Sequence, residues 1–200
     1  MNGVGYMNGQ TKNKSKKIIC LSGPRACGKS TISNHLHDLF GYERIAFADA
    51  LRDISSVFSD TLRNDRIFLS KLGAKIRSQL PNFFIQVIKN KIQNSESSFV
   101  IEDIRFPEEL EFCKSINATT IRLEIPFDQQ IINLGERGLS EQDAIRVIEC
   151  DDEKFLDRTA GWDFVVPAVG KFENVAVQIC PRPIWQGRGT CPRRPSQLET

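Results

Sequence analysis

A glycine-bounded loop near the start of the chain carries the clearest chemical signal. The segment GPRACGKS at 23–30 fits the pattern G-x-x-x-x-G-K-[ST] and lies between an apolar run and a helix-forming segment. Glycines let backbone N–H groups turn inward around phosphate oxygens, and the following helix adds the positive end of its dipole. Lys29 can reach the outer phosphates, and the Ser30 hydroxyl is a ligand for Mg²⁺. The motif therefore predicts a site for ATP and Mg²⁺. Its nine residues are Gly23, Pro24, Arg25, Ala26, Cys27, Gly28, Lys29, Ser30 and Thr31.

An acid and an arginine follow the next clear apolar run. Residues 97–103 (SSFVIED) indicate an interior strand that ends at Asp103. In a chain with a phosphate loop, an acid at this point is placed to act near Mg²⁺, whereas the alternative is a solvated strand end. We prefer Asp103 to Glu102 for this role, although the sequence does not separate them. Arg105 leaves the same sheet edge and can give phosphate oxygens bidentate contacts.

Asp49 stands where a short strand over residues 44–48 turns into a helix over residues 48–58. An aspartate at such a junction caps the helix, or it faces a ligand at the carboxyl edge of an open α/β sheet. The sequence supports both interpretations equally.

The segment before the third strand contains more helix than a minimal crossover needs. A helix is predicted over residues 65–80, and Pro81 fits the first position of another. We therefore predict a helical insertion that binds the phosphoryl acceptor, an acceptor lobe over about residues 49–95. Arg77 and Lys75 are its candidate phosphate-facing cations, although solvated helix charges are the commoner case.

The pattern loosens over residues 126–160. Gly135 and Gly138 bracket a polar turn that contains Arg137. Glycine hinges, arginines and little steady apolar period are typical of a mobile lid that closes over phosphates. A surface loop with one ordinary helix is the alternative.

Short apolar runs and changes in composition predict the strands and the two terminal segments of the chain. The predicted strands cover residues 18–21, 44–48, 97–103, 119–125 and 162–167. Residues 1–16 are polar and basic and predict a flexible leader. Residues 180–200 contain prolines and arginines without an apolar period, so we expect a disordered or non-native tail.

Composition narrows the class of protein. Two hundred residues allow one α/β domain, and a formal net charge of +2 predicts neither a nucleic-acid nor a membrane partner. No apolar run approaches membrane-spanning length. Six cysteines without a C-x-x-C pair indicate reduced thiols in the cytoplasm, or in the host cytoplasm if the source is viral.

Five segments together resemble the P-loop nucleoside-monophosphate kinase superfamily, and within it the viral and phage deoxynucleoside-monophosphate kinases. They are SGPRACGKST at 22–31, FADALRD at 47–53, IRSQLPNFFIQVI at 76–88, FVIEDIRFPEELE at 99–111 and WDFVVPAVGKFENV at 162–175. The resemblance spans residues 17–179. It implies a three-layer α/β/α fold with a five-stranded parallel sheet of order 2-3-1-4-5, an acceptor lobe and a lid.

The same resemblance implies roles for individual residues. Lys29, Asp103 and Arg105 would be catalytic, and Ser30 with Asp103 would hold the metal. Asp49, Arg77, Arg105 and Trp162 would line the acceptor site, and Arg137 would belong to the lid. Two departures stand out. The chain has RGLSE at 137–141 where family lids often show a His-x-Ser-Glu-like segment, and Ser30 where many members have an acid.

These observations predict ATP- and Mg²⁺-dependent phosphorylation of a nucleoside monophosphate to its diphosphate, with a deoxynucleotide as the preferred acceptor. A phosphomevalonate-like or dephospho-coenzyme-A-like acceptor is the first alternative, and a hydroxyl acceptor would need a base, for which Asp49 is the candidate. A non-catalytic nucleotide-binding domain is the second alternative. The base of the acceptor and the oligomeric state, including a homodimer, stay open.

Overall fold

Five parallel strands form the centre of the protein. The computed structural model describes residues 16–149 and 155–168, apart from the side chain of Arg66. The strands are β1 (Ile18–Ser22), β2 (Glu43–Ile45), β3 (Phe99–Ile104), β4 (Thr119–Glu124) and β5 (Phe164–Pro167). They pair in the order β2-β3-β1-β4-β5, which confirms the predicted parallel sheet of order 2-3-1-4-5.

Helices cover both faces of this sheet. They are α1 (Lys29–Phe40), α2 (Asp49–Phe58), α3 (Arg66–Gln79), α4 (Phe83–Gln93), α5 (Pro107–Ser115), α6 (Phe127–Gly135) and α7 (Glu141–Glu149), with a 3₁₀ turn at Leu62–Asn64. Strand side chains alternate between faces, so Leu21 packs with Ile32 of α1, while Cys20 packs on the opposite face with Ile88 of α4 and Leu110 of α5. The three-layer α/β/α class is therefore confirmed.

Strand β2 is shorter than predicted. It ends at Ile45, whereas the sequence pattern continued to residue 48. The backbone N–H groups of Phe47 and Ala48 donate to the Asp103 carboxylate instead of to a neighbouring strand, at 2.7 and 3.0 Å. The chain can then turn at once into α2, because the side chain of β3 satisfies the donors that a longer strand would have paired.

Two further boundaries differ from the predictions. Pro81 lies in a turn, and α4 begins at Phe83, whose N–H donates to the carbonyl of Leu80 at 3.0 Å. The segment predicted as an irregular lid contains α6 and α7. The predictions for residues 1–15, 150–154 and 169–200 lie outside the described residues.

A buried arginine ties three central strands together where β1 ends. Arg122 of β4 donates to the Ser22 hydroxyl at 2.9 Å, and that hydroxyl donates to the carbonyl of Ile104 in β3 at 2.9 Å. Arg122 also pairs with Asp157, whose side chain is half exposed. These bonds fix the end of β1, from which the glycine-bounded loop departs.

Two further facts concern helix length and the cysteines. None of the helices in the described ranges is both long and apolar enough to cross a bilayer. Cys20, Cys27 and Cys113 are buried thiols.

Candidate active site

The backbone of the glycine-bounded loop takes positive φ values, which glycine adopts most readily, at three positions. Gly23 has φ 146°, and a Cβ there would lie 2.6 Å from the carbonyl oxygen of Leu123. Gly28, just before α1, has φ 91° and Ala26 has φ 62°. Left-handed residues in series turn successive N–H groups to one side of the chain, which is the geometry of an anion-binding nest.

Lys29 and Ser30 open helix α1 immediately after this loop. The Lys29 side chain bends back across the loop, where its ammonium donates to the carbonyl oxygens of Gly23 and, at 3.0 Å, Pro24. Ser30 is exposed at the helix N-terminus. A cation, a hydroxyl and the positive end of a helix dipole therefore meet at one point.

Helix α6 holds the outer side of the loop. The buried Gln130 amide donates to the carbonyl of Arg25 at 2.8 Å, and the Asn133 amide donates to the carbonyl of Ala26 at 2.9 Å. Ala26 also packs in an apolar cluster with Leu134. The segment predicted as a lid is thus anchored to the phosphate loop through two amides that the sequence analysis missed. The sequence gives little indication of these two amides, because no local pattern shows that a side-chain amide will bind a carbonyl about 105 residues away.

Asp103 and Glu102 occupy different surroundings. Both Asp103 oxygens accept the N–H groups of the β2–α2 turn, and the side chain is buried. Burial raises the pKa of the Asp103 carboxyl, opposed by the nearby charge of Arg105 and by the two N–H donors. Glu102 Oε1 accepts from Arg44 at 2.7 Å, and its buried Oε2 has no hydrogen-bond partner among the described residues.

A buried glutamate connects the two candidate acceptor arginines. Glu109 is the third residue of α5, and its Oε2 accepts the N–H groups of Arg105 and Phe106 at 2.9 and 3.2 Å. Its Oε1 accepts from the guanidinium of Arg77, on α3, at 3.1 Å. The Arg77 guanidinium lies over the rings of Phe84 and Phe106, at 4.6 and 3.9 Å from their centroids.

The sequence analysis missed Glu109 as a site residue. A local sequence pattern could have identified Glu109, because a glutamate at the third position of a helix that starts with Pro107 is the residue type that caps such a helix. Burial and, to a lesser extent, the charge of Asp103 raise the pKa of the Glu109 carboxyl to about 7, although the Arg105 N–H and the charge of Arg77 act in the opposite direction.

Asp49 is engaged at the start of α2. Its Oδ2 accepts the N–H of Ala46 at 2.9 Å, and its Oδ1 accepts from Arg52 at 2.9 Å. The carboxylate therefore closes the turn into the helix from its first position. Arg52 is a further residue that was not predicted from the sequence, although its spacing of three from Asp49 on a helix was a usable signal.

The remaining predicted residues lie in separate places. Trp162 is partly buried beside the cluster that contains Phe84, and its indole N–H donates to the carbonyl of Thr159 at 2.9 Å. Arg137 is exposed in the turn between α6 and α7, and Lys75 is exposed on α3.

Strand pairing brings the loop and the acid–arginine segment together. Ser22, the last residue of β1, pairs with Ile104, the last residue of β3. Gly23 and Arg105 thus leave neighbouring strands at the same edge, where parallel strands are about 4.8 Å apart. Arg77 joins this edge through Glu109, so the phosphate loop and two arginines share one end of the sheet.

Comparisons with known proteins support this fold. No protein-family model matches the sequence, and no curated protein sequence is detectably similar to it. The structure of TT1252 from Thermus thermophilus matches at 18% identity with a TM-score of 0.56, covering 80% of this chain and 93% of that one. Shikimate kinase from Aquifex aeolicus matches at 22% identity with a TM-score of 0.51, covering 81% and 92%. An uncharacterized protein from Eubacterium ventriosum matches at 13% identity with a TM-score of 0.50, covering 76% and 88%. The chain therefore has the P-loop kinase fold.

The contacts of α6 predict that the side-chain amides of Gln130 and Asn133 contribute to ATP binding. We expect the double substitution Gln130→Met and Asn133→Leu to weaken the binding of a non-hydrolysable ATP analogue roughly 10- to 30-fold, because two carbonyls of the loop lose hydrogen bonds of about 1 kcal/mol each. Isothermal titration calorimetry measures the effect. Gln142→Met, on the exposed surface of α7, is the matched control. Unchanged affinity in a folded double variant would show that the loop keeps its shape without α6.

The burial of Glu109 predicts a pH dependence of stability. Its folded pKa of about 7 lies above the unfolded value of 4.5, so the folded state keeps a proton that the unfolded chain releases between these values. The contribution to stability is present below pH 4.5 and is lost as pH rises towards 7. Relative to Glu109→Gln, wild-type protein should lose roughly 2 to 3 kcal/mol of unfolding free energy from pH 5 to 8.

Urea denaturation at a series of pH values measures this difference. Glu108→Gln is the control, because Glu108 lies in the same helical turn but is exposed. The account is contradicted if the wild-type protein instead gains stability over Glu109→Gln as pH rises, since that would mean that Arg77 lowers the pKa of Glu109 below its ordinary value.

Proposed function

We propose that this protein transfers the terminal phosphoryl group of ATP to a nucleoside monophosphate, with a deoxynucleotide as the preferred class. The observation that carries the proposal is the arginine pair at the edge of the phosphate loop, in which Arg77 and the backbone of Arg105 are tied together by Glu109. The sequence resemblance described above supports the acceptor class, and the shared fold supports the reaction type.

The donor site is assigned to the loop and the start of α1. Backbone N–H groups of residues 23–31 and the dipole of α1 attract the phosphates of ATP, and Lys29 supplies a mobile positive charge. Phosphoryl transfer needs little covalent work from the protein, because its barrier is lowered mainly by positioning and charge neutralisation. Lys29 and Arg105 would act in this way.

The donor groups at this edge suit Mg²⁺, a hard cation that prefers oxygen ligands and uses few protein carboxylates alongside nucleotide phosphates. Ser30 offers an exposed hydroxyl. Asp103 is the acid proposed from the sequence, and the buried Oε2 of Glu102, on the same strand, has no hydrogen-bond partner among the described residues. When bound, the ion would neutralise charge on the phosphates. The assignment gives Ser30 one ligand position and leaves the acid to Asp103 or Glu102.

The acceptor site is assigned to Asp49, Arg77, Arg105 and Trp162. A monophosphate has a second pKa of about 6, so at neutral pH it is largely a dianion that attacks without a general base. Binding of this dianion requires positive charges rather than a group that accepts a proton, and Arg77 and Arg105 supply these charges. Arginine suits this role because its planar fork matches two phosphate oxygens at once.

The state of Asp49 bears on the first alternative. A hydroxyl acceptor, as in a dephospho-coenzyme-A-like reaction, requires a base whose carboxylate can turn towards the hydroxyl. Asp49 has both oxygens engaged, one by the Ala46 N–H and one by Arg52. This favours an acceptor that already carries a phosphate, a class that includes phosphomevalonate as well as nucleotides. The second alternative, a non-catalytic binder, has no specific observation in its favour.

A coupled ADP-release assay with a panel of acceptors tests the proposal. The panel contains each ribo- and deoxynucleoside monophosphate, with phosphomevalonate and dephospho-coenzyme A as the competing classes. We expect turnover with at least one deoxynucleoside monophosphate and little with the competing acceptors. Lys29→Ala should reduce that turnover at least roughly 100-fold, since it removes a charge that stabilises the transition state.

The control separates folding from chemistry, because Lys29→Ala should keep the circular dichroism spectrum and melting profile of the wild type. Preferential turnover of dephospho-coenzyme A or phosphomevalonate would replace the nucleotide assignment. Release of ADP in the Lys29→Ala variant at the wild-type rate would remove the phosphate loop from the mechanism.

A further inference from the structure

We propose that Glu109 is a positioning residue of the acceptor site, which holds Arg77 and Arg105 in the orientation that receives the acceptor phosphate. The inference rests on the proposed function for its chemistry, but the contact that carries it is visible without any ligand. One carboxylate joins an arginine side chain on α3 to the backbone that presents another arginine after β3.

The two oxygens of Glu109 have separate tasks. Oε2 accepts the N–H groups of Arg105 and Phe106, which precede α5, and so fulfils the ordinary duty of a helix cap. Oε1 accepts from Arg77, which lies 32 residues earlier in the chain. Capping explains only the first set of bonds. The bond from Arg77 attaches this cation of the helical insertion to the edge of the sheet.

The surroundings of Arg77 leave part of its guanidinium available. The rings of Phe84 and Phe106 lie against the Arg77 guanidinium. The N–H groups that do not donate to Glu109 lie in the guanidinium plane. Guanidinium has five N–H donors, of which Glu109 accepts from one nitrogen. The Arg77 side chain keeps 25% of its surface exposed, whereas that of Glu109 keeps 3%. Above the Glu109 pKa of about 7, the arrangement is therefore a buried anion that holds a partly exposed cation.

Burial of Glu109 is costly for a group that only caps a helix. Besides Arg77 and the backbone of Arg105, it faces the like charge of Asp103 from β3. Apolar replacements of buried ion pairs are often neutral or stabilising, so stability is a weak explanation for keeping this pair. Glu108, in the same helical turn, is exposed and shows that an acid near the helix start does not have to be buried.

Glu109→Gln separates the two tasks. The glutamine carbonyl can still accept the N–H groups of Arg105 and Phe106, but its amide presents donors to the donors of Arg77. We expect the KM for the acceptor nucleotide to rise roughly 10- to 100-fold, as for a lost hydrogen bond between charged groups, while the KM for ATP stays within about twofold. Glu108→Gln, the matched control, should keep both values. In an Arg77→Met background, Glu109→Gln should add little further change to the acceptor KM, because the side chain that it positions is gone.

A spectroscopic readout tests the positioning directly and needs no substrate. In ¹⁵N relaxation measurements, the Nε–Hε signal of Arg77, assigned by its loss in Arg77→Lys, should show a high order parameter in wild-type protein. It should fall clearly in Glu109→Gln and stay high in Glu108→Gln. A cap-only role would leave this signal unchanged in all three proteins.

The two readouts distinguish failure of this inference from failure of the proposed function. An ordered Arg77 signal in Glu109→Gln, or an unchanged acceptor KM, would overturn the positioning role even if nucleotides are phosphorylated. If no nucleoside monophosphate is phosphorylated but Arg77 becomes mobile in Glu109→Gln, the proposed function fails and Glu109 still positions Arg77.

Discussion

The candidate site depends on the parallel pairing of β1 with β3. Their last residues, Ser22 and Ile104, face each other in register, and the Ser22 hydroxyl donates to the Ile104 carbonyl. Arg122 of β4 secures the same hydroxyl. Because the glycine-bounded loop leaves one strand and the Arg105 segment leaves the other, any slip in this register would separate the phosphate-binding backbone from the arginines.

Several arginines near this end of the sheet form ion pairs, most of which join different elements. Arg77 is held by Glu109, Arg52 by Asp49 and Arg44 by Glu102, and Arg122 is held by Asp157. Exposed pairs of this kind add little to stability, and buried ones often cost as much as they return. Their common consequence is orientation, since each fixes a guanidinium that would otherwise sample many rotamers. The proposed site for phosphates would gain from cations that are ordered before the ligand arrives, and these ion pairs provide such order.

The sequence predicts the parts of the site that depend on local chemistry. The loop from Gly23 to Ser30 needs its residue types in a fixed order, so its motif can be recognised in the sequence. The order of the strands was predicted from the family resemblance. The role of Glu109 toward Arg77 depends on a contact across 32 residues, and no local pattern encodes it. The β2 boundary was missed because the Asp103 side chain, distant in sequence, takes the N–H groups that would have extended the strand.

The region after β4 shows a different limit of sequence reasoning. Gly135 and Gly138 suggested hinges, but Gly135 is the last residue of α6 and Gly138, at φ 90°, makes the turn before α7. The buried residues Leu134, Ala144 and Ile148 are spread over two short helices, so their period is hard to recognise in either helix alone. Their common partner, Ala26, belongs to the phosphate loop. The lid role of Arg137 stays a prediction.

The central claim is that donor and acceptor phosphates bind side by side at one edge of the sheet. Calorimetric titration with a bisubstrate analogue, in which adenosine and a second deoxynucleoside are joined by five phosphates, tests it most directly. The account predicts that the best analogue binds at least about 100-fold more tightly than a non-hydrolysable ATP analogue, because linking the two halves makes the second contact intramolecular. Equal affinities for the two compounds, across all second nucleosides, would contradict the claim.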